Sequence, residues 1–141
     1  LEIVDGDAHE GIQSTAITGT GLQRLRWKRY EIESYLFHPD ALARYVEEKV
    51  GAGAAKIHIS DLQKHLAENH PPGFLRDPLG DFPFLKGTKA RTELIPPALT
   101  AAGLPAIPYT SYHEIAAVMK PEEIHPEVRE KLDLIQKAFQ L

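Results

Sequence analysis

Two aspartates near the start of the chain have the spacing best suited to chemistry. Asp5 and Asp7 follow the apolar residues 1–4 and are separated by Gly6. Side chains two apart in an extended segment point to the same side. Both carboxylates could therefore offer oxygen ligands to Mg²⁺ or Mn²⁺. Asp and Gly are also common turn residues, and for this short motif alone a plain strand-to-loop turn is the favoured interpretation.

A second pair of carboxylates, Glu31 and Glu33, repeats the same spacing. If the strand predicted for residues 22–32 continues this far, the two side chains share a face. They could then complete a carboxylate cluster with the two aspartates. The alternative, favoured for this pair taken alone, is that both are solvated or paired with neighbouring cations, because most surface charge pairs have no functional role.

A basic stripe precedes these glutamates. Arg24, Arg26 and Lys28 alternate along the predicted strand, with Trp27 on the opposite face. Lysine and arginine in such a row could contact the phosphates of a nucleic acid. A solvated edge strand protected by charge explains the pattern equally well.

A third candidate is the segment Lys86-Gly87-Thr88-Lys89, which precedes a predicted helix. Backbone N–H groups at a helix start attract anions, and a lysine there can stabilise developing negative charge. The glycine spacing of a P-loop is absent, and a simple capped helix start is the favoured alternative.

Composition excludes several classes of function. The 141 residues are 43% apolar and include no cysteine, so a disulfide framework or a thiolate nucleophile is excluded. The seven histidines lack metal-ligand spacing, and only His9, close to Asp7, is kept as a peripheral candidate. A net charge of −4 restricts any polyanion contact to local patches. We expect a cytoplasmic protein with no membrane partner, because neither a membrane span nor a signal peptide is evident.

Alternating strand and helix signals predict an α/β domain with a helical C-terminal part. Strands are predicted over residues 1–4, 22–32 and 104–109, and an irregular connection over 74–87. Helices are predicted over residues 40–50, 61–69, 88–102, 111–119 and from 126 onward. The signals are prolines at first helical positions, Ser60 as an N-cap, and a capping box formed by Ser111 and Glu114. The last helix carries one apolar stripe, formed by Val128, Leu132, Ile135 and Phe139.

The chain begins with Leu1 inside a predicted strand, and its one methionine is Met119. We therefore expect a fragment whose earlier part is absent.

The order of these segments resembles a known family. Residues 1–7 resemble the strand that carries the Asp-x-Asp motif of topoisomerase–primase (TOPRIM) domains. Residues 28–36, followed by His38 and Pro39, resemble the "R-x-E-I-E-N-Y-L, then Pro" segment of TOPRIM domains fused to AAA/ABC-type ATPases. Those are the overcoming-lysogenization-defect (OLD) nucleases and their relatives. Residues 85–94 are similar to the "G-K" helix start of that family, and residues 112–139 to its closing helices.

The resemblance implies a fold and a set of site residues. The fold would be a partial TOPRIM-like, Rossmann-like parallel sheet with C-terminal helices, forming one domain over residues 1–141. The implied chemistry is that of a two-metal nuclease, in which carboxylates hold divalent ions that activate water against a phosphodiester. The implied assignments are metal ligands at Asp5, Asp7, Glu33 and Glu31, catalytic roles for Glu33 and Lys89 (or Lys86), and nucleic-acid contacts from Arg24, Arg26, Lys28 and Arg29.

The chain departs from the family pattern in four ways. The glutamate of the first TOPRIM strand and the ATPase P-loop do not occur in these residues, Ser34 replaces the usual asparagine, and Thr88 is inserted before the lysine. We therefore expect the C-terminal portion of an ATP-dependent DNA endonuclease from a prokaryotic phage-defence system, inactive as a fragment. Its expected cofactor is Mg²⁺ or Mn²⁺, and its expected partners are DNA, an upstream ATPase domain of the same parent chain and a second copy.

Two alternatives to this function are open. A degenerate TOPRIM module would bind nucleic acid or a partner protein without cleaving it. An unrelated α/β domain would have the Asp-Gly-Asp segment only as an acidic turn.

Overall fold

Helix packing, rather than a sheet, buries the apolar residues of this chain. The computed structural model describes residues 2–4 and 24–139, with side chains from residue 26 onward. Strands in these ranges are limited to β1 (Glu2–Val4) and β2 (Arg24–Arg26), which pair in parallel with Glu2 opposite Arg24. The predicted α/β parallel sheet is therefore wrong, and the described fold is helical.

The strand predicted over residues 22–32 ends early, at Arg26. The chain next forms a 3₁₀ turn over Ile32–Leu36. Two side chains stabilise this change of direction: Arg29 Nη1 donates to the carbonyl of Ser34 at 2.9 Å, and Ser34 Oγ accepts the Glu31 N–H at 3.3 Å. These local bonds replace the ladder that a longer strand would need.

Helices α1 (Pro39–Val50) and α2 (Ala55–Asn69) form the centre of the fold. The start of α1 at a proline and its end before Gly51 confirm the prediction, and Gly51 has a φ of 86° that favours glycine. Helix α2 begins one and a half turns before Ser60, because Ala55 is buried and extends the helix. Their facing side chains join those of neighbouring elements in a common core, whose larger members are Phe37, Leu42, Tyr45, Val46, Leu62, Leu66, Phe74, Leu85, Leu94, Ile95, Leu99, Tyr112 and Ile115.

Short helices occupy the region predicted to be irregular. They are α3 (Pro72–Arg76) and α4 (Pro83–Gly87), each with a proline in its first turn. The helix predicted over residues 88–102 consists of a π-helical turn, Ala90–Leu94, and α5 (Ile95–Ala101). Pro96 and Pro97 lie in the first turn of α5, where a missing N–H is tolerated.

The C-terminal part differs from prediction in one strand and one cap. Residues 104–109 are not a strand, and a 3₁₀ turn, Tyr109–Ser111, precedes α6 (His113–Ala117). The predicted capping box is wrong, because Glu114 instead pairs with Lys49 on α1 at 2.6 Å. Helix α7 (Pro126–Ala138) begins at the predicted proline. None of the helices in the described ranges combines the length and apolar character needed to cross a membrane.

Candidate functional site

The two predicted glutamates lie against the segment that contains Lys89. The Tyr30 N–H donates to the carbonyl of Leu85 at 2.9 Å, and Glu31 Oε1 accepts the N–H of Arg91 at 2.6 Å. The carboxylate thereby satisfies one of the N–H groups that a helical start leaves without a backbone partner. This hydrogen bond holds together two segments that are about sixty residues apart in sequence.

Lys89 is the residue immediately before the π-helical turn, and its side chain is exposed. Its backbone N–H donates to Glu93 Oε2 at 3.1 Å. The predicted helix start at this segment is thus correct to within two residues. A lysine at this place can reach an anion without being buried.

Tyr112 connects this junction to the C-terminal half of the chain. Its hydroxyl donates to the carbonyl of Arg91 at 2.9 Å. Burial raises the pKa of Tyr112, and the negative charges of Glu33 and Glu31 raise it further. Both carboxylates therefore lie near one buried phenol.

The carboxylates differ in their fitness as metal ligands. Glu31 is buried and has one oxygen committed to the Arg91 N–H, whereas Glu33 is half-buried. Carboxylate oxygens are the donors that Mg²⁺ and Mn²⁺ prefer, and of the pair Glu33 is the better placed to bind one. Asp5 and Asp7 lie outside the described residues.

The two short strands, β1 and β2, form a parallel pair. In the parallel pair, Val4 lies opposite Arg26, so β1 and β2 end at the same edge. Parallel sheets place ligand sites at this carboxyl edge.

The predicted basic stripe does not extend along one strand. Arg24 and Arg26 belong to β2, whereas Lys28 lies beyond its end and is exposed. The Lys28 backbone N–H donates to Glu127 Oε2 on α7 at 2.9 Å. Of the three predicted cations, only Arg24 and Arg26 therefore lie on β2.

Arg29 is buried and bonded to the protein itself. Besides Ser34, its guanidinium donates to the carbonyls of Pro78 at 3.0 Å and Gly80 at 3.4 Å, and it stacks 5.1 Å from the Tyr35 ring centroid. Burial lowers the pKa of Arg29. These contacts give it a structural role that the sequence pattern did not indicate, since a buried arginine and an exposed one look alike in sequence.

Sequence reasoning missed a second cluster of ligand-type side chains, formed by His38, Asp40 and Glu123, whose ligand atoms lie within 4.8 Å of one another. They line an open pocket of about 490 Å³ between α1 and the turn over Pro121–Glu123. The motif His38-Pro39-Asp40 was the available signal. Its partner Glu123 is more than eighty residues away, which no local pattern indicates.

The hydrogen bonds in this cluster explain it without a metal. His38 Nδ1 accepts the Asp40 N–H at 3.2 Å, so the neutral ring carries its proton on Nε2 and has no lone pair for an ion there. Burial lowers the pKa of His38, which favours that neutral form.

Glu123 is held by Arg44. The two guanidinium nitrogens lie 2.8 and 2.6 Å from its two oxygens, and Oε1 also accepts the Lys120 N–H at 2.9 Å. This bidentate pair lowers the pKa of Glu123 to about 2. The cluster therefore caps α1 and fastens the Pro121–Glu123 turn to it.

Comparison with protein-family models, curated proteins and solved structures finds no match to this chain. The assignment of its function therefore depends on the residues described above.

Proposed function

We propose that this chain is the nucleic-acid-cleaving part of an ATPase-coupled, divalent-metal-dependent DNA endonuclease. The observation that supports the proposal is the hydrogen bond from the Arg91 N–H to Glu31, which joins the segment of the two glutamates to the segment that contains Lys89. The OLD-family resemblance supplies the chemistry of this proposal, whereas the parallel sheet that it also implied was wrong.

Each residue has a distinct task in this proposal. Glu33 would be a metal ligand, together with Asp5 and Asp7, and a bound Mg²⁺ or Mn²⁺ would supply an activated water and charge neutralisation. Lys89 would donate to the phosphate as negative charge develops on it. Glu31 would orient the Lys89 segment through Arg91 in addition to any contact with an ion.

Supercoiled plasmid DNA, incubated with the full-length parent protein, ATP and Mn²⁺, provides the test. We expect Glu33→Gln to lower the nicking rate at least about a hundredfold, because the amide loses the ligand charge. Lys89→Met should have a similar effect. ATP hydrolysis should persist in both variants, which separates loss of cleavage from loss of the ATPase step, and an unchanged urea-unfolding midpoint of this chain would exclude loss of folding.

Two matched controls make the result specific. Lys86→Met tests whether the catalytic lysine lies three residues earlier, and Glu130→Gln removes an exposed carboxylate on α7. Retained nicking in Glu33→Gln would contradict the catalytic assignment. Equal losses in Glu33→Gln and Glu130→Gln would show a nonspecific charge effect instead.

A binding module without catalysis is the second candidate. It is favoured by the hydrogen bond from the Arg91 N–H to Glu31, because a carboxylate oxygen used inside the protein is a poorer metal ligand. Such a module would retain DNA with an affinity that falls as salt rises, and it would not nick DNA with any divalent ion.

A further inference from the structure

An open groove of about 390 Å³ lies beside the glutamate–lysine junction. It separates the first turns after Lys89 from the segment that precedes α6. Its lining is part cationic and part aromatic, and consists of Arg91, Thr92, Pro96, Ile107, Tyr109 and Tyr112.

The outer wall of the groove is formed by an exposed aromatic ring, and a cationic side chain stacks on the face of that ring. Tyr109 is 57% exposed, and the guanidinium carbon of Arg91 lies 4.7 Å from its ring centroid. Pro108 restricts the backbone that enters this turn. A planar base can stack on such a ring or guanidinium whatever its sequence, since every base has a π-face.

The inner wall leads to the candidate catalytic groups. Tyr112 lines the groove and bonds to the Arg91 carbonyl, and the Arg91 N–H in turn bonds to Glu31. Lys89 lies two residues before Arg91 and is exposed. A strand with one base in the groove would therefore have cations beside its phosphates and Glu33 close by.

We propose that this groove holds an unpaired nucleotide of single-stranded DNA, with its base stacked on Tyr109 and Arg91. The inference rests on the proposed nuclease function and specifies its substrate as DNA with an unpaired segment at the cleavage site. Charge complementarity favours this occupant over an apolar peptide, because Lys89 and Arg91 suit phosphates and would have no partner on such a peptide.

Binding of a fluorescein-labelled oligothymidylate of about 12 nucleotides tests the groove. The comparison strand has the same length and phosphates but abasic sugars. Fluorescence anisotropy is measured in EDTA, so that cleavage cannot occur. We expect the protein to bind the oligothymidylate about tenfold more tightly than the abasic strand.

Three variants locate that preference. Tyr109→Ala should remove it, whereas Tyr109→Phe should keep it, because stacking needs the ring and not the hydroxyl. Phe139→Ala is the matched control, since Phe139 is an exposed aromatic residue (81%) that directly follows α7 and lies outside the groove.

Equal affinity for the two strands would overturn the proposal, as would an equal loss of preference in Phe139→Ala. The proposal would also be overturned if a proline-rich peptide bound in the groove and the protein showed no base-dependent DNA binding. The nuclease proposal fails separately: base preference that depends on Tyr109, with no Glu33-dependent nicking, supports the groove alone. Glu33-dependent nicking without base preference supports the nuclease and rejects the groove.

Discussion

Helices α1 and α7 begin in the same way and pack in opposite ways. Each follows a His-Pro pair whose histidine caps the helix: His38 Nδ1 accepts the Asp40 N–H at 3.2 Å, and His125 Nδ1 accepts the Glu127 N–H at 3.0 Å. Helix α1 then buries apolar side chains, whereas α7 buries an acid and a lysine.

The difference comes from what each helix meets. Leu42 on α1 enters the common core. On α7, Glu127 accepts hydrogen bonds from the Tyr35 hydroxyl and the Lys28 backbone, and Lys131 pairs with it at 3.2 Å. Local residues determine where such a helix begins, but the opposing surface selects which face is buried.

Truncation of the core face of α1 should give the largest loss of stability. Leu42 is fully buried, so Leu42→Ala should lower the free energy of unfolding by about 3 kcal/mol, through lost transfer energy and a cavity. Urea unfolding of the chain measures this. The matched control is Leu132→Ala on α7, where the side chain is 57% exposed and the change should stay within about 0.5 kcal/mol. A loss at Leu132 comparable to that at Leu42 would mean that the apolar stripe of α7 is covered.

These two helices also show how far sequence reasoning reaches. Proline, glycine and histidine at the helix ends act on their neighbours, so the starts of α1 and α7 and the end of α1 are confirmed. The sequence predicts the apolar stripe of α7 but not its exposure. The face of α7 that is buried instead carries Glu127 and Lys131, which contact Tyr35 and Trp27, about a hundred residues away.

The candidate site shows the same contrast between local features, which the sequence predicts, and distant contacts, which it does not. The hydrogen bond from the Arg91 N–H to Glu31 joins two segments that are about sixty residues apart, a contact that no local pattern in the sequence predicts. The burial of Arg29 could not be expected, because it depends on the carbonyls of Pro78 and Gly80. The positions of these two carbonyls are set by a turn about fifty residues away from Arg29, and the residues next to Arg29 give no indication of it.

Removal of the buried charge on α7 should have the second largest effect. Glu127→Gln keeps the shape of the side chain, but the amide has one acceptor oxygen and no charge for the three donors, which are the Tyr35 hydroxyl, the Lys28 N–H and Lys131. Hydrogen bonds to charged groups contribute about 2 kcal/mol, and we expect a loss of that size in urea unfolding. Glu130→Gln, exposed on the same helix, is the control and should change little. Equal effects of the two substitutions would show that α7 docks without its buried acid.

The histidine caps should give the smallest effect, visible as a dependence on pH. Burial lowers the pKa of both His38 and His125 from the ordinary value of 6.5. Just below that pH the histidines of the unfolded chain are protonated, whereas the two capping histidines of the folded chain stay neutral. The free energy of unfolding therefore falls as the pH decreases from about 6.5 toward the folded pKa. Asparagine is also a good cap and does not titrate. The double variant His38→Asn/His125→Asn should therefore keep its stability near pH 7.5 to within about 1 kcal/mol.

Urea unfolding at about pH 7.5 and about pH 5.5 measures the difference, which should be smaller in the double variant than in the unsubstituted chain. His113→Asn replaces an exposed ring outside both caps and should leave the difference unchanged. His70, whose pKa burial also lowers, accounts for the part that persists. An unchanged difference in the double variant would mean that neither capping ring titrates with unfolding. The acid sensitivity would then be assigned to His70 in the aromatic core, and the shared cap of α1 and α7 would set only the position of each helix start.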